Sequence, residues 1–280
     1  MYENFIKKVG SADTISIFMH INPDGDCVGS SLALYAYLKN MGKRVNCFLE
    51  PGHVIGDNLQ FLPNIKEFNR TELKHYDLAI AVDCGDANRL GLKCYDLFCK
   101  SDEKLVIDHH YNNSKFTDDV ILESHAAATT EILYKIFNAN DASYIDIDVA
   151  TCLFTGLVTD TGAFVFSSTT KQTFATAAAL SGYGLDTYSI IRRVLSEYSI
   201  EAFHLKNRVL SRAEFLFDNK VAIITFSSED FEATNTTELD TKPIIGNILN
   251  ISSVLLAVSI SFSTRTTDYK VSFRSKDKIN

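Results

Sequence analysis

Short apolar runs alternate with longer amphipathic stretches through the first half of the chain. Residues 15–20, Ile-Ser-Ile-Phe-Met-His, read as a strand. Residues 28–41 follow at helical spacing, with Leu32, Leu34, Tyr35 and Leu38 on the repeat and Gly42 as the stop. Runs at 44–49, 77–83 and 104–108 read as further strands. Continuous apolar strands separated by helices predict a parallel sheet covered on both faces and joined by right-handed crossovers. From Ala126 onward the spacing turns helical, with helices predicted over 127–138, 146–159, 171–182 and 187–196. A helix over 201–217 is placed to connect two lobes. Beyond it the pattern gives a strand at 221–226, a short helix at 241–249, and a hairpin of 254–264 with 269–275. A domain boundary is expected near 186–199.

Four of the apolar segments end in metal-competent side chains. The first runs into His20-Ile-Asn-Pro-Asp24-Gly-Asp26, where Pro23 and Gly25 force a turn and let three ligand-type groups converge. Asp26, just ahead of a helix at Val28, also reads as its N-cap, but a cap leaves His20 and Asp24 unexplained. The second ends in Asp83-Cys-Gly-Asp86. Asp83 alone reads equally well as a turn residue, and Asp86 reads as a turn or cap. The third, Leu-Val-Ile-Asp108-His109-His110, closes a buried run with a carboxylate and two imidazoles. Strand alternation would send the two rings in different directions, one to a metal and one to substrate. The fourth ends in Asp160-Thr161-Gly162. Gly162 reads as a helix stop, yet an acid at the negative end of a helix dipole is disfavoured unless a cation sits nearby.

Ligands of open parallel sheets bind outside the carboxyl ends of the strands, so the first three clusters can meet at one point. Carboxylates and imidazoles without clustered thiolates suit Mn²⁺ or Mg²⁺ better than structural zinc. That many anions cannot share a pocket without cations. Two metals sharing one bridging carboxylate would satisfy the set, and two-metal sites of this kind hydrolyse phosphate esters.

Composition narrows the setting. The chain has 280 residues, 46% of them hydrophobic, enough for one large domain or two moderate ones. No apolar stretch approaches the ~20 residues of a membrane span. The charged N-terminus does not read as a signal peptide. Six cysteines without paired spacing read as reduced thiols in a cytoplasmic protein. A net charge of −8 argues against long duplex nucleic acid held on a basic surface, and leaves room for a small phosphorylated substrate.

His20-x-x-x-Asp24-x-Asp26, Asp83, Asp108-His109-His110 and Asp160-Thr-Gly resemble, in this order, the four motifs of the DHH phosphoesterase superfamily. The resemblance implies an α/β catalytic domain over 1–190 with a parallel five-stranded sheet and flanking helices. It implies a linker helix region over 191–210. A smaller C-terminal α/β substrate-binding domain would follow over 211–280, incomplete at its C-terminus. It implies two divalent cations, Mn²⁺ ahead of Mg²⁺ or Co²⁺. His20, Asp24 and Asp83 would hold one, and Asp26, Asp83, His109 and Asp160 the other. His110 would contact the scissile phosphate or protonate the leaving oxygen, with Asp108 orienting the imidazoles.

Val271-Ser-Phe-Arg274-Ser275 resembles a strand of the substrate domain in the nanoRNase and pAp-phosphatase branch. That branch implies hydrolysis of short oligoribonucleotides to mononucleotides, and of pAp to AMP. Rivals are a cyclic or linear dinucleotide phosphodiesterase, acting on cyclic di-AMP or pApA, and a non-catalytic nucleotide-binding regulator. Arg265, Arg274 and Ser275 are the expected substrate contacts, while Lys206, Arg208 and Arg212 read as a solvated helix face. A homodimer is one assembly open to such a protein. There are two departures from the branch. Ala163 stands where many of its members carry Arg, and the sequence stops at Asn280, before the branch's Gly-Gly-Gly-His-x-x-Ala-Ala-Gly segment. A member lacking that segment should keep its metal site and bind nucleotide less well.

Overall fold

A computed structural model describes residues 2–70, 73, 75–262 and 268–276. The chain divides into two compact units, Met1–Ser196 and Glu197–Asn280.

The first unit is built on five parallel strands: β1 (Thr14–Phe18), β2 (Arg44–Phe48), β3 (Leu78–Val82), β4 (Glu103–Asp108) and β5 (Val120–Leu122). Their order is β2-β1-β3-β4-β5. The chain steps outward from β1 to β2 and returns to the other side of β1 with β3. The carboxyl end of β1 and β3 is therefore the switch point where such sheets bind ligands. Around the sheet stand α1 (Glu3–Ser11), α2 (Gly25–Asn40), α3 (Leu92–Cys99), α4 (Thr129–Asp141), α5 (Ile147–Thr161), α6 (Lys171–Ser181) and α7 (Thr187–Ile191). A single π turn, Arg192–Ser196, extends α7.

Strand alternation sorts the core into two layers. Ile15, Ile17, Leu78, Ile80, Val82, Leu105 and Ile107 point to the side packed by α2, α4 and α5. Phe18, Ala79, Ala81 and Val106 point to the other side, against Cys94 and Phe98 of α3. Both faces are covered, which is why the strands are largely apolar, β3 throughout.

The closest helix crossing is α2 against α5, and glycine permits it. A Cβ on Gly29 would lie 2.6 Å from the Cys152 carbonyl oxygen. One on Gly156 would lie 2.7 Å from Asp26 Oδ1 and 2.5 Å from Thr130 Cγ2. Either side chain would force the two helices apart, and the acids they carry with them.

α2 starts at Gly25, not Val28, and its N-cap is Asp24, whose Oδ1 accepts from Cys27 N at 3.1 Å. Asp26 lies inside the first turn instead. The helix predicted over 201–217 is two elements. One is α8 (Ile200–Leu210) and the other a short strand, β6 (Glu214–Leu216). The chain reverses after β6 through Phe217, Asp218 and Asn219, all at positive φ (53°, 55° and 62°). Asp and Asn tolerate that region best, so the Asp-Asn pair is the turn signal.

The second unit holds a mixed sheet in the order β6-β7-β8-β9, with β7 (Val221–Phe226), β8 (Leu256–Phe262) and β9 (Tyr269–Ser275). β7 and β8 run parallel, while β8 and β9 are antiparallel, as the predicted hairpin requires. α8, α9 (Ser228–Thr234) and α10 (Lys242–Leu249) cover one face, burying Leu205, Val209, Phe231, Ile244 and Ile248 on Ala222, Ile224 and Phe226.

Arg208 and Arg212 are exposed, as expected of a solvated face, but their guanidinium groups are also paired. Arg208 Nε donates to Asp230 Oδ1 at 2.7 Å, and Arg212 binds both oxygens of the same carboxylate, which is fully buried. Arg212 also donates to the Thr225 carbonyl at 2.7 Å. The Arg212 guanidinium holds the Asp230 carboxyl well below the usual carboxylate range, against the opposing pull of burial. Asp230→Ala strands two guanidinium groups and removes a helix-capping partner of Ser227. The second unit should lose about 1–3 kcal/mol of stability, read as a lower denaturant midpoint. A change below about 0.5 kcal/mol would contradict this network.

Candidate metal centre

Three strand ends and two helix ends deliver the site. β1 leads into His20, β3 into Asp83, and β4 into Asp108, His109 and His110. Asp24 and Asp26 come from the start of α2, and Asp160 from the last turn of α5. These eight residues all lie in the first unit.

Asp83 is the hub. Its backbone sits in the left-handed region (φ 55°), where an extended strand cannot continue, so β3 ends in a sharp turn. Its buried carboxylate accepts from Thr129 Oγ1 at 3.0 Å. His20 Nε2 stands 3.6 Å from Asp83 Oδ2 and 3.9 Å from Asp24 Oδ2. His109 Nε2 lies 3.6 Å from Asp83 Oδ1 and 3.3 Å from Asp160 Oδ2. His110 Nδ1 lies 3.7 Å from that same Asp83 oxygen. The two adjacent rings do not diverge as strand alternation suggests. β4 ends at Asp108, and the rings stand edge to face with centroids 4.6 Å apart.

His20 and His109 share one arrangement. His20 Nδ1 donates to the Ile21 carbonyl at 2.7 Å, and His109 Nδ1 to the Ala126 carbonyl at 3.3 Å. In each ring Nε2 is turned toward carboxylates. A backbone carbonyl on the far nitrogen is what fixes the tautomer of a metal-binding histidine. His110 is the opposite. Its Nδ1 donates to Asp108 Oδ1 at 2.7 Å, and its side chain stays 35% exposed. Asn113 Nδ2 secures the other Asp108 oxygen at 2.6 Å. These two hydrogen bonds hold the Asp108 carboxyl below its ordinary pKa despite burial, which opposes them.

Asp26 is fully buried and serves another helix than its own. Ala128 gives α4 no side-chain cap. Instead Asp26 accepts from Thr129 N at 2.6 Å, Thr130 N at 3.0 Å and Thr130 Oγ1 at 2.8 Å. The positive end of α4 thus holds a carboxylate that also lies within ligand reach of His109 and Asp160.

The electrostatics ask for cations. Burial, and then the charges of Asp26, Asp24 and Asp160, push the Asp83 carboxyl far up. Burial and Asp26 push Asp160 up to about 7. Burial also raises Asp26. Burial acts to lower His109, but Asp160 and Asp26 outweigh it and lift the ring to about 9. His20 is the exception, lowered by burial. It is 1% exposed, and its Nε2 has no hydrogen-bond partner. A buried imidazole lone pair aimed at two carboxylates is a costly arrangement that a cation reverses. Among the described residues, the ion pairs of Asp24, Asp83, Asp108 and Asp160 are all with histidines. The donor set, all oxygen and imidazole nitrogen, fits hard divalent ions.

The sequence reading passed over four residues of this site. Thr129, Thr130 and Asn113 are hydrogen-bond donors to carboxylates whose place in space no spacing reveals. Cys27 shares a possible ligand group with His20 and Asp83. Among the expected substrate contacts, Arg274 and Ser275 lie exposed on β9 of the second unit, and Arg265 lies outside the described residues.

A parallel α/β sheet that gathers imidazoles and carboxylates at its strand ends defines a class, the metal-dependent hydrolases of phosphate esters. The chain belongs to the DHH family, whose N-terminal domain matches residues 14–157. It is 30% identical over 268 residues to the bifunctional oligoribonuclease and PAP phosphatase NrnA of Thermus thermophilus, a match covering 95% of this chain and 77% of that protein. The protein of the same name from Bacillus subtilis is 25% identical over 286 residues, covering 100% of this chain and 87% of the relative. The crystal structure of an exopolyphosphatase-related protein from Bacteroides fragilis is similar with a TM-score of 0.91 and 26% identity, covering 99% of this chain and 83% of that one. No helix among the described residues is long and apolar enough to cross a membrane.

Proposed function

We propose that this protein hydrolyses short oligoribonucleotides to mononucleotides and removes a phosphate from pAp, using two divalent cations, Mn²⁺ foremost. The observation that carries this reading is the convergence of two imidazole Nε2 atoms, each with its Nδ1 tied to a backbone carbonyl, on the single buried carboxylate of Asp83. The names of the Thermus and Bacillus relatives support the substrate class.

His20, Asp24 and Asp83 would hold one ion, and Asp26, Asp83, His109 and Asp160 the other, with Asp83 shared. When bound, such ions supply Lewis acidity and lower the pKa of water. The remaining work belongs to side chains of the chain itself. His110, oriented by Asp108 through Nδ1, presents Nε2 to a phosphate oxygen and gives a proton to the departing one. Asn113 keeps Asp108 in place for that task. Arg265, Arg274 and Ser275 would meet the substrate's other phosphates, with 1–190 as the catalytic domain and 211–280 as the substrate domain. The net charge of −8 disfavours long nucleic acid and suits a small substrate neutralised by cations. The setting that suits this chemistry is cytoplasmic, and a homodimer is compatible with it.

His110→Asn keeps a hydrogen bond to Asp108 but titrates no proton. Turnover should fall by about 10²–10⁴-fold while Mn²⁺ affinity, measured by calorimetry, stays unchanged. Equal loss of metal binding would mean that His110 is a ligand. The substrate itself is tested by Mn²⁺-dependent hydrolysis of 5′-labelled RNAs of two to five nucleotides beside pAp, pApA, cyclic di-AMP and pyrophosphate. Short RNA and pAp should be consumed fastest. Preference for a cyclic or linear dinucleotide would move the protein to the phosphodiesterase reading. Tight binding without turnover would make it a regulator.

A further inference from the structure

Cys27 is the third residue of α2, immediately after Asp26. It is fully buried, and its Sγ accepts a hydrogen bond from the His20 backbone N–H at 3.3 Å. One donor atom each of His20, Cys27 and Asp83 lie within 4.8 Å of one another, and all three residues are buried. The second, independent sign of a ligand is His20 itself. It is 1% exposed, its Nδ1 is committed to the Ile21 carbonyl, and its Nε2 has no hydrogen-bond partner.

Imidazole nitrogen, thiolate sulfur and carboxylate oxygen form the donor mix of tetrahedral zinc sites. Burial and the charges of Asp83 and Asp24 push the Cys27 thiol well up, against the His20 N–H, so a bound cation has to displace its proton. Metal–donor bonds of about 2.0–2.3 Å set donors roughly 3.5 Å apart around a tetrahedral ion. His20 Nε2 and Asp83 Oδ2 already stand at 3.6 Å. Asp24 is the weaker third donor. Its side chain is 53% exposed, its Oδ2 lies 3.9 Å from His20 Nε2, and its Oδ1 is engaged as the cap of α2.

We infer that Cys27 makes this position a site for a thiophilic d¹⁰ cation, Zn²⁺ or Cd²⁺, held by His20 Nε2, Cys27 Sγ and an Asp83 oxygen. On binding, a sulfur–metal bond forms, the thiol proton leaves to solvent, and nothing is oxidised or reduced. The site overlaps the position proposed for the Mn²⁺ ion of His20, Asp24 and Asp83, and the inference rests on that reading of His20 and Asp83. Residue 27 then decides between cations. A hard ion recruits the Asp24 oxygen, whereas a soft ion recruits the Cys27 sulfur.

The test is a Cd²⁺ titration of metal-free protein under reducing conditions, following the ultraviolet thiolate-to-cadmium charge-transfer band. Wild type should show a band that saturates at one Cd²⁺ per chain. Cys27→Ser should lose it, and Cys99→Ser, which removes the exposed thiol, should keep it. ¹¹³Cd NMR of the wild type needs no variant and should report one sulfur with nitrogen and oxygen donors. No band in the wild type, a band that survives Cys27→Ser, or a ¹¹³Cd shift typical of oxygen and nitrogen alone would overturn the inference. Mn²⁺-dependent hydrolysis by the same wild-type sample separates the two readings. Hydrolysis without the band sinks this inference alone, and the band without hydrolysis sinks the proposed function alone.

Discussion

Asp83→Asn lowers Mn²⁺-dependent hydrolysis by at least about 1000-fold, a loss of about 4 kcal/mol of transition-state stabilisation, while the metal-free variant melts higher than wild type. Both effects come from one carboxylate. Asp83 stands within 3.7 Å of ring nitrogens from His20, His109 and His110, so both proposed cations depend on it. Without cations its charge is disfavoured by burial and by Asp26, Asp24 and Asp160, so near neutral pH folding must take up a proton there. Asparagine removes that charge, can still accept from Thr129 Oγ1, and tolerates the left-handed backbone at φ 55°. Alanine would add about 1–2 kcal/mol of backbone strain there and blur the result. The gain in melting temperature should be about 2–4 °C per kcal/mol of repulsion relieved. Turnover assays with Mn²⁺ and calorimetry with chelator measure the two effects. Wild-type-like turnover would remove Asp83 from the site, and a lower melting temperature would refute the crowding of charge.

Mn²⁺ raises the melting temperature of the first unit, and the rise grows with pH. An ion at about a thousand times its Kd adds about 4 kcal/mol, or about 8–16 °C for a domain of this size. The pH dependence follows from proton linkage. His109 is raised from 6.5 to about 9, so its stabilisation of the metal-free fold is full below pH 6.5 and lost as pH rises toward 9. Asp160 is raised from 3.8 to about 7, and a raised carboxyl likewise makes the folded state less stable as pH climbs to that value. His20, lowered by burial, acts only below 6.5, where its unfolded form gains a proton. Above 6.5 the metal-free protein therefore weakens as pH rises. Bound cations take the place of those protons and reverse the trend. Thermal scans with and without Mn²⁺ near pH 7 and pH 9 should show the larger shift at the higher pH. A shift independent of pH, or unfolding on chelation alone, would contradict this picture of a preformed site.

The strands were legible because both faces of the sheet are buried, so Ile17–Met19, Leu78–Val82 and Leu105–Ile107 are unbroken apolar runs. β5, of three residues, is too short to carry a pattern. β6 was absorbed into a helix because Phe215 and Leu216 continue the apolar spacing of α8. The pairing of Arg208 and Arg212 is not legible because their partner Asp230 lies 22 and 18 residues away on another helix. In the site, the ligand-type residues stood out because each ends an apolar run. What holds them did not. Thr129 and Thr130 reach back 103 and 104 residues to Asp26, a distance over which only the fold provides contact. The cap assignment went to Asp26 for the same reason. From sequence it stands nearest the apolar helix, and only the structure shows it capping α4.

The proposed site holds a pair of cations sharing Asp83. Manganese content per chain, measured on protein stripped, reloaded and freed of excess metal, tests it most directly. Two ions per chain are expected in the wild type and fewer than two in Asp83→Asn. One ion in the wild type, or two retained after Asp83→Asn, would contradict it.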